Sequence, residues 1–164
     1  MNNRREKVLQ LLADNQINYE IITHPAVKTV EEMKALDIEQ TGEGIKNLFL
    51  CDDKRRRFLL VSMPEDKAIN LKHLEEMYGT RRLSFASSER LMQILDLEPG
   101  MVSPLGIIND DEHLTEVIFD KELKYFSRIG IHPNDNTATI YLKLEDLEYL
   151  IKKQGNSFTY LELE

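Results

Sequence analysis

Strand-like runs outnumber helical ones along this chain and do not alternate with them regularly, an order that argues against a doubly wound parallel sheet. The clearest strand pair is Lys46 to Cys51 and Arg57 to Met63, separated by a basic turn and entered through Gly42-Glu43-Gly44. Further strands are expected at Tyr19 to Thr23, around Ile107-Ile108, and at Glu116 to Phe119, Ser127 to Ile131, Thr137 to Lys143 and Phe158 to Leu161. Helices are expected where capping residues precede apolar stripes. Asn3 with Glu6 leads into Val8, Leu9, Leu11 and Leu12, and Thr29 with Glu32 opens a short helix through Ala35. Asn70 caps a helix that Gly79 stops, Ser87 or Ser88 opens one ending before Pro99-Gly100, and a last runs from about Glu145 to Lys153, stopped by Gly155. The pattern predicts a single α+β domain over residues 1–164, with a mixed, largely antiparallel sheet and flanking helices.

Charge and cysteine usage narrow the function. A net charge of −8 argues against sequence-blind binding to long nucleic acid, which needs a broad basic surface. Lys54-Arg55-Arg56-Arg57 and Arg81-Arg82 are local basic patches and read first as solvated turns. No apolar run approaches the roughly 20 residues of a membrane span, so no membrane partner is expected. The first six residues lack the apolar stretch of a secretory signal. Cys51 is the only cysteine, which rules out an internal disulfide and makes a cytoplasmic home the natural expectation.

Three places could carry chemistry. Lys46 alternates with Leu48 and Leu50, which puts an ammonium on an apolar strand face. It either snorkels to water at a strand end or serves a site. Pro99 to Gly106, "PGMVSPLG", is a rigid loop that is either a crossover or a holder of backbone N–H groups for an oxygen ligand. In "GIHPNDNTATIYL", Gly130 to Leu142, His132 stands at the mouth of a hairpin turn whose Asn and Asp residues alone would make the turn. The four histidines show no metal-ligand spacing, so no metal is expected. No GxGxxG, GxxxxGK[ST] or GxSxG is present, and Ser103 and Cys51 have no recognisable base partner, so neither is assigned as a nucleophile.

Four stretches taken together are similar to one family: "HPAVKTVEE" (His24 to Glu32), "GIKNLFL" (Gly44 to Leu50), "PGMVSPLGIIND" (Pro99 to Asp110) and "IHPNDNTATI" (Ile131 to Ile140). The chain resembles the YbaK/ProX family of prolyl-tRNA editing domains, and the alanine-editing ProX branch more than the cysteine-editing YbaK branch. The resemblance implies a YbaK-like fold and a trans-acting deacylase of mischarged tRNA(Pro), most of all Ala-tRNA(Pro), needing no cofactor. It implies Lys46 as the family's essential lysine, Asn47 as its pocket neighbour, and Gly106 as the glycine whose amide lies against the substrate. It further implies His132 as the histidine of the HP motif, with Ser103 in the VSPxG loop and Val27 and Ile131 as pocket walls. Lys28 departs from the pattern, which has an aromatic or apolar residue there. The implied partners are the acceptor end of aminoacyl-tRNA and prolyl-tRNA synthetase. The alternatives are a Cys- or Ser-specific deacylase, or a non-catalytic binder that senses aminoacyl-tRNA or a synthetase.

Overall fold

The computed structural model describes residues 3–26, 29, 31–32 and 42–163. The chain opens with α1 (Asn3–Asp14), which buries Val8 and Leu12, and β1 (Glu20–Thr23). Next come β2 (Glu43–Asp52) and β3 (Phe58–Pro64), an antiparallel hairpin in register from Ile45↔Pro64 to Cys51↔Phe58. Its basic turn is held by the Asp52 carboxylate, which accepts from the Arg56 and Arg57 backbone N–H groups at 2.8 and 3.2 Å. These bonds hold the carboxyl below the usual range although burial pushes it the other way.

Short elements follow: α2 (Leu71–Tyr78), β4 (Leu83–Phe85), α3 (Ser88–Leu95), β5 (Thr115–Asp120), β6 (Ile129–Ile131), β7 (Ala138–Leu142), α4 (Leu144–Gln154) and β8 (Phe158–Leu161). The caps read at Asn70, Ser87 and Gly79 are present, while Asn3, expected as a cap, is the first described residue of α1 itself. Asn70 accepts from the His73 N–H, Ser87 accepts from the Arg90 N–H, and Gly79 ends α2 at φ +79°. Thr29 Oγ1 accepts from the Glu32 N–H at 3.0 Å, as a capping box requires, while the expected continuation to Ala35 lies outside the described residues.

The strands form one sheet in the order β1-β7-β6-β2-β3-β5-β8, with β4 paired to β2. The pairs β1·β7, β6·β7, β2·β3 and β2·β4 are antiparallel, and β2·β6, β3·β5 and β5·β8 are parallel, so the sheet is mixed, as expected. Every residue of β3 is buried because the sheet is covered on both faces. The main core includes Ile45, Phe49, Phe58, Leu60, Leu105, Ile131 and Ile140. Leu50, Leu59, Val61 and Met63 face a second cluster under Leu74 of α2.

One expectation is corrected, and one strand was not anticipated. Ile107-Ile108 is no strand: both lie in a 3-10 helix, Pro104–Asn109, started by Pro104 and capped by the Ser103 side chain. The three-residue strand β4 carried no period long enough to be read in advance.

Candidate active site

The sheet has a break, and the residues singled out from the sequence gather around it. β2 and β6 run in parallel but pair only at Glu43↔Ile129 and Gly44↔Gly130. Further along, the same edge of β2 is taken up by β4 from Leu50↔Phe85, preceded by the Ala86 N–H donating to Phe49 O at 2.9 Å. Between these two partners, from Ile45 to Leu48, no described strand pairs with this edge. Two residues past the last β2·β6 pair stand Lys46 on one side and His132 on the other. Parallel strands that part in this way leave a crevice at their carboxyl ends, where a ligand can enter. Gly130 is required close by: a Cβ there would come within 2.6 Å of the Tyr141 ring.

Strand alternation sends the two residues of the Lys46-Asn47 pair to opposite faces. Lys46 is half-buried beside Leu48 and opposite Met63, on the face of the second cluster. Among the described residues its ammonium has no carboxylate partner. Asn47 points with Ile45 and Phe49 to the main-core face, where its Oδ1 accepts from Ser62 Oγ at 2.5 Å.

His132 is anchored from several directions. Its Nδ1 lies 3.3 Å from the Ala138 carbonyl oxygen, and its own carbonyl accepts from Ser103 Oγ at 2.8 Å. A carbonyl can only accept, so Nδ1 carries a proton, and in the neutral ring Nε2 keeps its lone pair. Burial lowers the ring's pKa and the nearby His24 adds to this, while the Ala138 bond and Asp135 oppose it; the net direction is down. His24 is itself buried, with Nδ1 2.9 Å from Pro25 O and Nε2 2.9 Å from Thr139 Oγ1. The turn beyond His132 is fixed by Asn134 at φ +59°, whose Nδ2 donates to Leu105 O at 3.2 Å. It is fixed again by Asp135, which accepts from the Thr137 N–H and from Arg5 of α1 at 2.8 Å. Burial raises the Asp135 pKa, but the Thr137 and Arg5 contacts outweigh it and hold the group ionised.

The loop residues are held by the protein's own hydrogen bonds and packing. Ser103 is fully buried, accepts from the Leu105 N–H at 3.3 Å and ties the loop to the hairpin, so its hydroxyl faces protein rather than solvent. The Gly106 N–H, expected to face a substrate carbonyl, donates to Ser103 O at 3.0 Å inside the 3-10 helix. The glycine is needed there for packing, since a Cβ would meet Leu97 Cδ1 at 2.8 Å and Leu95 Cβ at 3.1 Å. Ile131, expected as a pocket wall, is 3% exposed and belongs to the main core. Val27, the other expected wall, and Lys28 lie outside the described residues. Ser62 was not singled out from the sequence, although a lone serine in "FLLVSMP" was the available signal.

Among the described residues, no group of three or more His, Cys, Asp or Glu side chains could hold a metal ion. No helix there is long and apolar enough to cross a membrane.

Comparison with known proteins identifies the family. The family described as "Aminoacyl-tRNA editing domain" matches residues 24–150. The chain is 45% identical over 159 residues to the "Prolyl-tRNA editing protein ProX" of Acetoanaerobium sticklandii, covering 97% of each. It is 33% identical over 155 residues to the "Prolyl-tRNA synthetase associated domain-containing protein 1" of Bos taurus, covering 93% of this chain and 91% of that one. A crystal structure of a candidate trans-editing enzyme for prolyl tRNA synthetase superposes with a TM-score of 0.75 at 17% identity, over 100% of this chain and 98% of that one, and so shares its fold. With the HP hairpin, the VSPLG loop and the lysine strand converging on one break in the sheet, this chain belongs to the aminoacyl-tRNA editing domain family.

Proposed function

We propose that this protein is a trans-acting, cytoplasmic deacylase that hydrolyses the aminoacyl ester of mischarged tRNA(Pro), with alanine as the amino acid removed. The observation that carries this reading is the near full-length similarity to a prolyl-tRNA editing protein, 45% identity over 97% of both chains. Its partners are the acceptor end of the charged tRNA and, through the editing of that synthetase's errors, prolyl-tRNA synthetase.

An aminoacyl ester is activated, so its hydrolysis needs fewer groups than amide cleavage. Water adds to the ester carbonyl, the ribose oxygen leaves and takes up a proton, and free amino acid and tRNA result. With the Gly106 N–H engaged by Ser103 O, the donor left for the developing negative charge is the Lys46 ammonium, while the Asn47 carboxamide, on the opposite face of β2, is left to bind a different substrate oxygen. Lys46 serves as well to hold the terminal phosphate. Neutral His132 offers Nε2 as an acceptor, which suits orienting the attacking water or a ribose hydroxyl.

Selectivity for alanine follows from a second-sieve argument. A synthetase pocket that accepts proline cannot sterically refuse the smaller alanine, because missing methylenes weaken binding by only ~1–3 kcal/mol each. A second pocket too small for the proline ring works in the opposite sense. The test is a side-by-side rate comparison of tRNA(Pro) charged with Ala, Cys, Ser and Pro. Ala-tRNA(Pro) should be cleaved much faster than Pro-tRNA(Pro). Equal cleavage of the proline ester would refute size exclusion, and preference for Cys would move the chain to the cysteine-editing branch.

A further inference from the structure

We infer that Ser62 is a positioning residue of this site: its hydroxyl fixes the Asn47 carboxamide so that Nδ2 is turned toward the break in the sheet as a donor to a substrate oxygen. The inference rests on the deacylase reading for its substrate but on geometry for the clamp. Ser62 and Asn47 are directly opposed in the β2·β3 register, and their side chains share one face. Ser62 is fully buried in a strand where every other residue is apolar, and its Oγ lies 2.5 Å from Asn47 Oδ1.

The direction of that bond follows from what each group can do. If the carboxamide were reversed, Nδ2 would donate to Ser62 Oγ and the hydroxyl proton would need another acceptor. The hydroxyl contacts no other described acceptor, and a buried donor left unpaired is costly. Donation from Ser62 to Oδ1 therefore sets the orientation. Among the described residues Nδ2 has no partner, and it is not one of the buried unpaired polar atoms there, in keeping with the half-buried setting of Asn47. Asn47 stands on the segment of β2 that neither β6 nor β4 covers, where an incoming substrate replaces the missing strand. A serine here acts on the reaction only through Asn47.

The test combines a side-chain NMR readout with a double-mutant cycle. In Ser62→Ala, the Asn47 side-chain NH2 signals should shift and broaden as the carboxamide loses its fixed orientation. Deacylation of Ala-tRNA(Pro) should fall about 5- to 10-fold in kcat/KM, the worth of one neutral hydrogen bond. Ser62→Thr, which keeps the donor, should hold activity near wild type, and Ser62→Cys, similar in size but a weak donor, should lose it. In an Asn47→Ala background, Ser62→Ala should cost nothing further. An equal additional loss in that background, or unchanged Asn47 signals in folded Ser62→Ala, would overturn the inference. Should the wild type cleave none of the charged tRNAs, the functional reading falls, while the NMR arm still decides the clamp.

Discussion

Ser103 Oγ donates to the His132 carbonyl oxygen at 2.8 Å, joining the rigid proline-glycine loop to the histidine hairpin across 29 residues of sequence. The same oxygen accepts from the Leu105 N–H, so one fully buried hydroxyl both starts the 3-10 helix and sets the height of His132. Ser103→Ala leaves the His132 carbonyl and the Leu105 N–H short of a partner. The expected loss is about 1–3 kcal/mol of stability, measured by denaturant unfolding. Deacylation should weaken in parallel, and an unchanged midpoint would show that the tether does not support the fold.

Gly106→Ala tests the packing role of that residue. Its Cβ would come within 2.8 Å of Leu97 Cδ1 and 3.1 Å of Leu95 Cβ at the end of α3. Overpacking of this kind costs about 1–3 kcal/mol, and thermal melts should fall accordingly. A melt equal to wild type, with activity lost, would instead return Gly106 to the substrate-facing role expected from the sequence.

What the sequence disclosed and what it withheld have physical causes. The β2·β3 hairpin was legible because alternation, a charged turn and flanking glycines agree over a long run, and the caps at Asn70 and Ser87 were legible because capping is local. The parallel pairing of β3 with β5 and β8 was not, since it joins residues far apart in the chain and leaves no local trace. Lys46 and His132 could be nominated individually. That they flank one break in the sheet depends on where β2 stops pairing with β6, which is a tertiary outcome. The engagement of the Gly106 N–H could not be read either, because it rests on the 3-10 turn that Pro104 and Ser103 impose.

Lys46→Ala should nearly abolish deacylation while the protein stays folded. Lys46 is half-buried without a carboxylate partner among the described residues, so the protein loses little by its removal, whereas the transition state loses an electrostatic contact worth about 3 kcal/mol. Circular dichroism and melts should match wild type alongside the rates. Wild-type turnover in the folded variant would remove Lys46 from the mechanism.

The pH profile should report His132. Its folded pKa lies below the ordinary 6.5, so between the two values the unfolded chain binds the proton and the folded protein does not. The associated stability is present above about 6.5 and is lost as pH falls through the folded value. Catalysis follows the same direction, since protonation removes the Nε2 acceptor. The acid limb of kcat/KM should therefore have its midpoint below 6.5, and His132→Gln should flatten that limb. A limb that persists unchanged in His132→Gln would assign it to another group.

Salt dependence measures how much of the tRNA the protein touches. Arg57 is engaged by Glu116 at 2.7 Å and Arg81 by Asp53 at 2.5 Å, which leaves Lys54, Arg55, Arg56 and Arg82 as exposed cations without a carboxylate partner among the described residues. They lie on the β2–β3 turn and the loop before β4, at the far end of β2 from Lys46. On a protein of charge −8, contacts to the acceptor end must be few, so binding of tRNA(Pro) should show a log–log salt slope of roughly −2 to −4. Replacing Lys54, Arg55 and Arg56 together by Gln should make the slope shallower and weaken binding, while leaving the single-turnover rate at saturating enzyme unchanged, because these groups are remote from the ester. A slope as steep as that of an extended nucleic-acid binder would mean a far larger footprint. An unchanged slope in the triple variant would place the phosphate contacts elsewhere on the surface.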